Sequence, residues 1–264
     1  MLASLAAAAL LDNELTSNLA QSLGTLTATA LILLLVWRLN WLQSAGITRL
    51  GSWRVWLLAL AIMLYFYAAY RYTFFGTLAS DVAYLLHLPE AWGVALRQLG
   101  VGTVEEILFR GILLYALVRA WGTTRRGLFA AILTPALLFG SLHILQLATG
   151  NSLSGTLLTI VIGLLSGIWM GALVLRWGTL WPGVAIHAFS NVVVNIGALA
   201  VIDFAPSTSA FLLAAVLEIP LVLLGIWWFL RLPLAGEPPT VEPQAPAGSP
   251  REFPEEAVPT RPAW

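Results

Sequence analysis

The chain has 264 residues, of which 59% are hydrophobic and only 10% are charged, whereas about a quarter of the residues are charged in an ordinary soluble domain. Its 13 basic residues, all of them arginine, balance 13 acidic ones, so a basic face for nucleic acid is not expected. The lack of cysteine excludes disulfides, thiolate metal sites and a cysteine nucleophile. The apolar residues form runs of about 20 residues, the length that a helix needs to cross a bilayer. The sequence therefore predicts an all-α, polytopic transmembrane bundle.

The predicted bundle covers residues 19–232 and has about seven spans. Residues 1–18 are expected to form a lead-in, because their apolar stretch is too short to cross a bilayer. In chain order, the spans are predicted at 19–39, 53–75, 93–119, 127–148, 155–176, 180–202 and 210–231.

Arginine placement orients this bundle. Arginines lie in or beside alternate connections, which the positive-inside rule places in the cytoplasm; these are Arg49, Arg54, Arg125, Arg126, Arg176 and Arg231. The opposite connections carry Asp12, Asp81 and Asp203, and Arg97 near a helix end is interpreted as snorkelling. The N-terminus is thus predicted outside and the C-terminus inside a cell membrane.

Two regions outside the spans have simple interpretations. Residues 233–264 contain nine prolines and few bulky apolar residues, which is typical of a disordered tail. His87 falls in an outer loop and is interpreted as a surface residue. The use of arginine without lysine is typical of a prokaryotic genome of high GC content.

Three spans carry polar groups that are costly in a bilayer. A charged side chain at mid-membrane costs about 2.5 to 3.5 kcal/mol, so those that persist usually face a cavity and pair with one another. The third span contributes EEILFR, the fourth FGSLH and the sixth HAFSN, which together supply Glu105, Glu106, Arg110, His143, His187 and Asn191.

Helical spacing predicts which of these groups pair with each other and which one stays available. Residues four apart lie on one face, so Glu106 and Arg110 are expected to pair, which leaves Glu105 available for chemistry. His187 and Asn191 have the same spacing and are expected to face one cavity. A buried Glu–Arg pair alone is more often structural, and a lone His can simply cap a carbonyl. Six such groups on three helices instead favour a single acid–base site.

Small residues near these groups predict close helix packing. Gly100, Gly102 and Gly111 surround the acidic pair, and Gly140 lies beside His143. Without side chains, they allow another helix or a substrate backbone to approach.

The ordered strings EExxxR, FxxxH and HxxxN, found between Glu105 and Asn191, resemble the motifs of the CAAX protease and bacteriocin-processing family, which includes the Ras-converting CAAX endopeptidase. The resemblance implies an intramembrane glutamate endopeptidase that hydrolyses a hydrophobic, lipidated or membrane-embedded peptide. It implies that Glu105, with His143, activates a water molecule, and that His187 and Asn191 stabilise the oxyanion.

A zinc site is the main chemical alternative. Glu105, His143 and His187 form a ligand set with one open position, as in catalytic zinc sites. HExxH is absent, and the resemblance implies a metal-independent peptidase, so no metal or other cofactor is predicted.

Two other functions fit the same residues. An immunity or scaffold protein of this fold would bind a membrane partner without cleaving it. A proton-coupled transporter would use intramembrane Glu, His and Arg as a relay, although the seven spans show no inverted halves. The peptidase is preferred because all three motifs are intact and in order.

Overall fold

The computed structural model describes residues 14–70, 89–199 and 208–234. Within these ranges the chain forms helices joined by turns, and no strand occurs there. The predicted all-α fold is therefore confirmed for the described part of the chain. The predicted lead-in before Glu14, the loop with His87 and nearly all of the proline-rich tail lie outside these ranges.

The helices follow the predicted spans closely. The α-helices are α1 Glu14–Arg38, α2 Trp53–Tyr70, α3 Pro89–Glu106, α4 Leu114–Trp121, α5 Arg125–Leu142, α6 Leu153–Trp177, α7 Trp181–Leu199, α8 Thr208–Leu217 and α9 Ile219–Phe229. A π-helical segment, Ile107–Leu113, links α3 to α4, and a 3₁₀ segment, His143–Thr149, follows α5. The third predicted span is thus α3, the π segment and α4, and the seventh is α8 with α9.

Several helices suit a bilayer. Within the described residues, five segments are long and apolar enough to cross a membrane: Thr16–Arg38, Trp53–Tyr70, Arg125–Thr149, Leu153–Trp177 and Thr208–Phe229. The two predicted spans outside this set are those that carry the acidic pair and His187. Large leucines such as Leu31 and Leu57 are more than half exposed, as expected where lipid is the solvent. The protein is therefore a multi-pass membrane protein, and the count of seven spans stays a prediction.

The third span lies among the helices that carry the other motifs. α3 packs along α1 and α7, while α6 packs along α5 and α9. The π segment contacts α5. A buried core joins α2, α6 and α9 through Phe66, Trp169 and Trp228. This arrangement brings the three motif-bearing spans together.

Two motifs lie where an α-helix changes its hydrogen bonding. Glu106 is the last residue of α3, and the following turns are π-helical, with the Leu114 N–H donating to the Phe109 carbonyl. His143 is the first residue of the 3₁₀ segment after α5. Departures of this kind recur at functional sites, because they re-aim side chains that a regular helix would point elsewhere.

A stripe of glycines on α6 brings α5 unusually close. A Cβ built at Gly167 would lie 2.7 Å from the Ala136 Cβ, and one built at Gly140 would lie 2.7 Å from the Ile160 carbonyl oxygen. A Cβ built at Gly163 would lie 3.1 Å from the Gly140 Cα. The two backbones are therefore nearly in contact, as in small-residue packing between membrane helices.

The last span is interrupted at Glu218, between α8 and α9. The Glu218 side chain is buried, and its Oε2 accepts a hydrogen bond from the Trp169 indole N–H at 2.7 Å. The Tyr65 hydroxyl donates to the Leu217 carbonyl at 2.7 Å. Pro220 follows in the first turn of α9, where proline is tolerated because the missing N–H has no helical partner. Side chains from α2 and α6 thus satisfy polar groups at the break.

Candidate active site

The acidic pair of the third span is anchored by Arg110. The Arg110 Nη1 lies 2.9 Å from the Glu106 Oε1, and both side chains are almost fully buried, at 2% and 0% exposure. The predicted pairing four residues apart is therefore confirmed. The nitrogen is at ion-pair distance but is not oriented for a hydrogen bond, and the Glu106 Oε2 has no hydrogen-bond partner among the described residues. A buried pair of this kind needs further polar contacts to offset its desolvation.

His187 lies between the two glutamates. Its Nδ1 is 2.8 Å from the Glu106 Oε1, and its Nε2 is 3.5 Å from the Glu105 Oε2. Because Glu106 is held as a carboxylate beside Arg110 and can only accept, the Nδ1 of His187 carries the proton. The buried glutamate therefore fixes the ring orientation, and the other nitrogen faces Glu105.

Glu105 is the accessible member of the acidic pair. Its side chain is 28% exposed, whereas that of His187 is 11% exposed and that of Glu106 is fully buried. Glu105 is also within electrostatic range of His143 and Arg110. One glutamate is thus buried in an ion pair, while its neighbour is partly exposed.

Phe139 of α5 joins the three motifs. The Arg110 guanidinium lies 4.4 Å from the centroid of the Phe139 ring. The rings of His143 and His187 meet the same phenyl edge-on, with centroids 5.2 and 5.6 Å away. Such cation–π and edge-to-face contacts are favourable and directional. Both imidazoles therefore contact one buried phenyl ring.

The end of α5 fixes the orientation of His143. The His143 Nδ1 lies 3.1 Å from the Phe139 carbonyl oxygen and 3.3 Å from that of Gly140. Carbonyls only accept hydrogen bonds, so the Nδ1 carries the proton in the neutral ring. The Nε2 is then the nitrogen that can accept a proton from a reactant. A Cβ at Gly163 would lie 3.3 Å from this imidazole, so α6 forms its wall.

Glycines also fit α3 against α7 at the level of the acidic pair. A Cβ at Gly102 would lie 3.0 Å from the Ala188 backbone nitrogen, next to His187. A Cβ at Gly100 would meet the Thr25 hydroxyl of α1. Together with Gly140 against α6, these contacts confirm the predicted close approach of helices. Gly111 is less crowded, since its nearest neighbour, the Leu180 Cδ2, would be 3.6 Å away.

Asn191 is the predicted site residue whose position is supported by the fewest contacts. It lies one turn after His187 on α7 and is half-buried. Its backbone carbonyl accepts a hydrogen bond from the Asn195 side chain at 2.8 Å. Among the contacts of the described residues, none joins the Asn191 amide to Glu105 or His143, so its role stays a prediction.

A second polar cluster lies further along the α3–α7 interface. Arg97 donates to the Asn195 Oδ1 at 3.1 Å and to the Gln21 Oε1 at 3.4 Å, which links α3 to α7 and α1. The expectation that Arg97 snorkels from its helix end is therefore wrong. The sequence did hold a signal, because Asn195 continues the four-residue spacing of His187 and Asn191.

The zinc alternative requires three of these side chains to converge. Among the described residues, no group of three His, Asp or Glu side chains converges closely enough to hold a metal ion. The Nδ1 atoms of both histidines face protein acceptors, which leaves each Nε2 directed elsewhere. The described site thus holds a partly exposed carboxylate, two oriented imidazoles and a buried ion pair, and the expected absence of a metal stays a prediction.

Comparisons with known proteins agree with the motifs. Residues 87–193 match the family described as Rce1-like, type II CAAX prenyl endopeptidase. No curated protein and no solved structure matches the chain significantly. The matched range contains Glu105, Glu106, Arg110, His143, His187 and Asn191. Residues 87–193 are therefore an Rce1-like domain, and the predicted relationship to the CAAX protease and bacteriocin-processing family is confirmed.

Proposed function

We propose that the protein is an intramembrane glutamate endopeptidase that cleaves a hydrophobic, lipidated or membrane-embedded peptide. The observation that carries this proposal is the position of His187, whose two nitrogens face Glu106 and Glu105 at 2.8 and 3.5 Å. An imidazole between a buried carboxylate and an accessible one is suited to proton transfer. The Rce1-like match over residues 87–193 supports peptide hydrolysis.

In the proposed first step, Glu105 acts as the general base. It takes a proton from a water molecule while the water oxygen forms a bond to the substrate carbonyl carbon. His143 assists by accepting a hydrogen bond from that water through its Nε2, because its Nδ1 proton is directed to backbone carbonyls. Positioned general bases typically contribute about 10²- to 10⁴-fold to rate.

The remaining groups serve the tetrahedral intermediate. His187 enters this step protonated on both ring nitrogens, so its Nε2 and the Asn191 amide donate hydrogen bonds to the oxyanion, while Glu106 stabilises the imidazolium charge through Nδ1. Loss of one oxyanion donor typically costs about 10²- to 10³-fold in rate. In the last step the C–N bond breaks, and Glu105 returns its proton to the leaving amine. No metal ion or cofactor enters this scheme.

Reconstituted protein provides the test. Purified chain in proteoliposomes would be incubated with a farnesylated C-terminal CaaX peptide and with the same peptide lacking the lipid, and products would be read by mass spectrometry. Glu105→Gln should abolish cleavage. Glu218→Gln is the matched control, because it changes another buried glutamate of the bundle that lies outside the site.

The same variants distinguish a peptidase from a non-catalytic scaffold protein. Membrane peptides that accumulate in cells carrying Glu105→Gln, but not in cells carrying wild type, would identify the natural substrate. If a cellular phenotype of the gene survives Glu105→Gln unchanged, a non-catalytic immunity or scaffold role is the better explanation. Proton-linked uptake by proteoliposomes that stops with Glu105→Gln would instead favour a transporter.

We propose that the ends bearing Arg125, Arg126 and Arg231 face the cytoplasm. The natural chain has no cysteine, so single cysteines can report the topology. A cysteine at Asp81 should react with an impermeant reagent added from outside, whereas one at Arg126 should react only after the cells are opened. The reverse pattern would overturn this orientation.

A further inference from the structure

An apolar groove lies between α5, α6 and α9, away from the candidate active site. It is a shallow depression, and no polar atom lines it. Ile132, Ala172 and Gly225 form its buried floor, while Phe129 and Ile226 form exposed walls. Small residues on the facing helices α6 and α9 leave this hollow. Its open side is lined by large apolar side chains, so the groove faces the lipid.

Three arginines lie at the start of α5 and just after the end of α9. α5 begins at Arg125 and α9 ends at Phe229, a residue of the groove wall. The Arg125 Nη1 donates to the Phe229 and Leu232 carbonyls at 3.2 and 2.6 Å, which fixes its position beside that wall. Arg126 is exposed on the next position of α5, and the exposed Arg231 lies over the Trp227 ring at 4.1 Å.

No carboxylate neutralises these arginines within the part of the chain that the structure describes. The ion pairs found there all belong to the acidic pair with Arg110 and His187. The groove floor at Ile132 lies seven residues from Arg125, which is about 10 Å along the helix axis. A charged rim and an apolar floor are thus separated by the distance between a phosphate and the upper part of an acyl chain.

We propose that this groove binds an anionic phospholipid, with an acyl chain between α5 and α9 and the phosphate on Arg126 and Arg231. Each basic residue near a membrane surface adds measurably to the attraction of anionic lipid, and basic pockets between membrane helices bind such headgroups. The apolar lining favours a hydrocarbon chain over a peptide, whose N–H and C=O groups would find no partner there. This lipid would support the interrupted last span, since α9 forms one wall.

Lipid binding to the full chain tests the charged rim. Purified protein in neutral detergent would be titrated with 1-palmitoyl-2-oleoyl phosphatidylglycerol and with phosphatidylcholine of the same chains, and bound lipid would be counted by native mass spectrometry. Phosphatidylglycerol should bind about tenfold or more tightly. Arg126→Gln/Arg231→Gln should weaken it by about ten- to thirtyfold. The matched control is Arg38→Gln/Arg54→Gln, which removes two exposed arginines that lie over tryptophans and belong to neither α5 nor α9.

The apolar part of the site needs its own variant. Ile226→Trp fills the groove and should reduce phosphatidylglycerol binding, whereas Leu223→Trp changes an exposed residue of the same helix outside it and should not. Leu133→Trp fills the groove from α5 if Ile226→Trp does not fold. Equal binding of the two lipids, or equal losses in the control variants, would overturn the proposal. So would displacement of the lipid by a farnesylated peptide, which would assign the groove to a substrate chain.

Discussion

The carboxylate of Glu106 and the imidazole of His187 meet at 2.8 Å across 81 residues of sequence. This contact ties the third span to α7 and gives the histidine a fixed ring orientation. It also means that Glu106, although fully buried and paired with Arg110, acts on the site through His187.

Replacing Glu106 should therefore impair both stability and rate. Glu106→Gln leaves Arg110 as an uncompensated buried charge, and breaking a buried pair in this way costs about 3 to 5 kcal/mol. Cleavage should fall by about a hundredfold or more, because a neutral amide no longer stabilises positive charge on His187. Glu106→Gln/Arg110→Met should recover thermal stability but not cleavage. Recovery of both would show that the pair is only structural.

The tautomer assigned to His143 can be tested by substitution. His143→Asn keeps a donor near the position of the Nδ1, so the contacts with the Phe139 and Gly140 carbonyls and the thermal stability should be largely preserved. It lacks the Nε2 acceptor, so cleavage should drop by about 10²- to 10⁴-fold. The measurements are the melting temperature in detergent and the single-turnover cleavage rate. Wild-type cleavage by this variant would exclude His143 from water activation.

The glycine stripe of α6 predicts a difference between two similar substitutions. Gly163→Ala places a methyl group 3.3 Å from the His143 ring and 3.1 Å from the Gly140 Cα, so it should displace the imidazole and reduce cleavage. Gly171→Ala, on the same stripe, meets only side-chain atoms of Ile132 and Leu114 and should be nearly neutral. The measurement is the cleavage rate of each folded variant. Similar rates for the two variants would contradict the role of Gly163 in positioning the His143 ring.

Glu218 should matter for stability rather than for catalysis. Glu218→Gln keeps an acceptor for the Trp169 indole N–H and should leave both stability and cleavage close to wild type. Glu218→Leu buries that N–H without a partner, which costs about 1 to 3 kcal/mol. Thermal unfolding of the two variants in one detergent is the measurement. Strong loss of cleavage by the folded Glu218→Gln variant would contradict this assignment.

Metal removal provides a chemical test of the site. Because Glu105, His143 and His187 do not converge as a ligand set in the described structure, cleavage should continue after dialysis against EDTA and 1,10-phenanthroline. Elemental analysis should find much less than one zinc per chain. Stoichiometric zinc whose removal stops cleavage, and whose return restores it, would establish the metal alternative.

Much of the fold could be predicted from the sequence because lipid imposes a simple rule: a span is a long apolar run. The helix ends at Trp53, Arg125 and Trp177 lie within two residues of the predicted ones. The pairing of Glu106 with Arg110 could also be predicted, since it depends only on spacing within one helix.

Contacts between helices could not be read in the same way. The sequence predicted that His187 shares a cavity with the acidic pair, but not that it lies between the two glutamates. Arg97 was expected to reach toward the membrane surface, yet its guanidinium bonds to Asn195 and Gln21. Both facts depend on which residues of α1 and α7 lie opposite α3, and hydropathy carries no information on that alignment.

The wide turns of Ile107–Leu113 also set the rotational phase between the two halves of the third span. Their i→i+5 hydrogen bonds each enclose one more residue than the bonds of an α-helix, so α4 is rotated relative to α3 and packs on α5, whereas α3 packs on α1 and α7. A deletion of one residue here would restore ordinary pitch and turn either the carboxylates or the α4 surface away from its neighbour. The length of this short segment is consequently constrained more tightly than its apolar composition suggests.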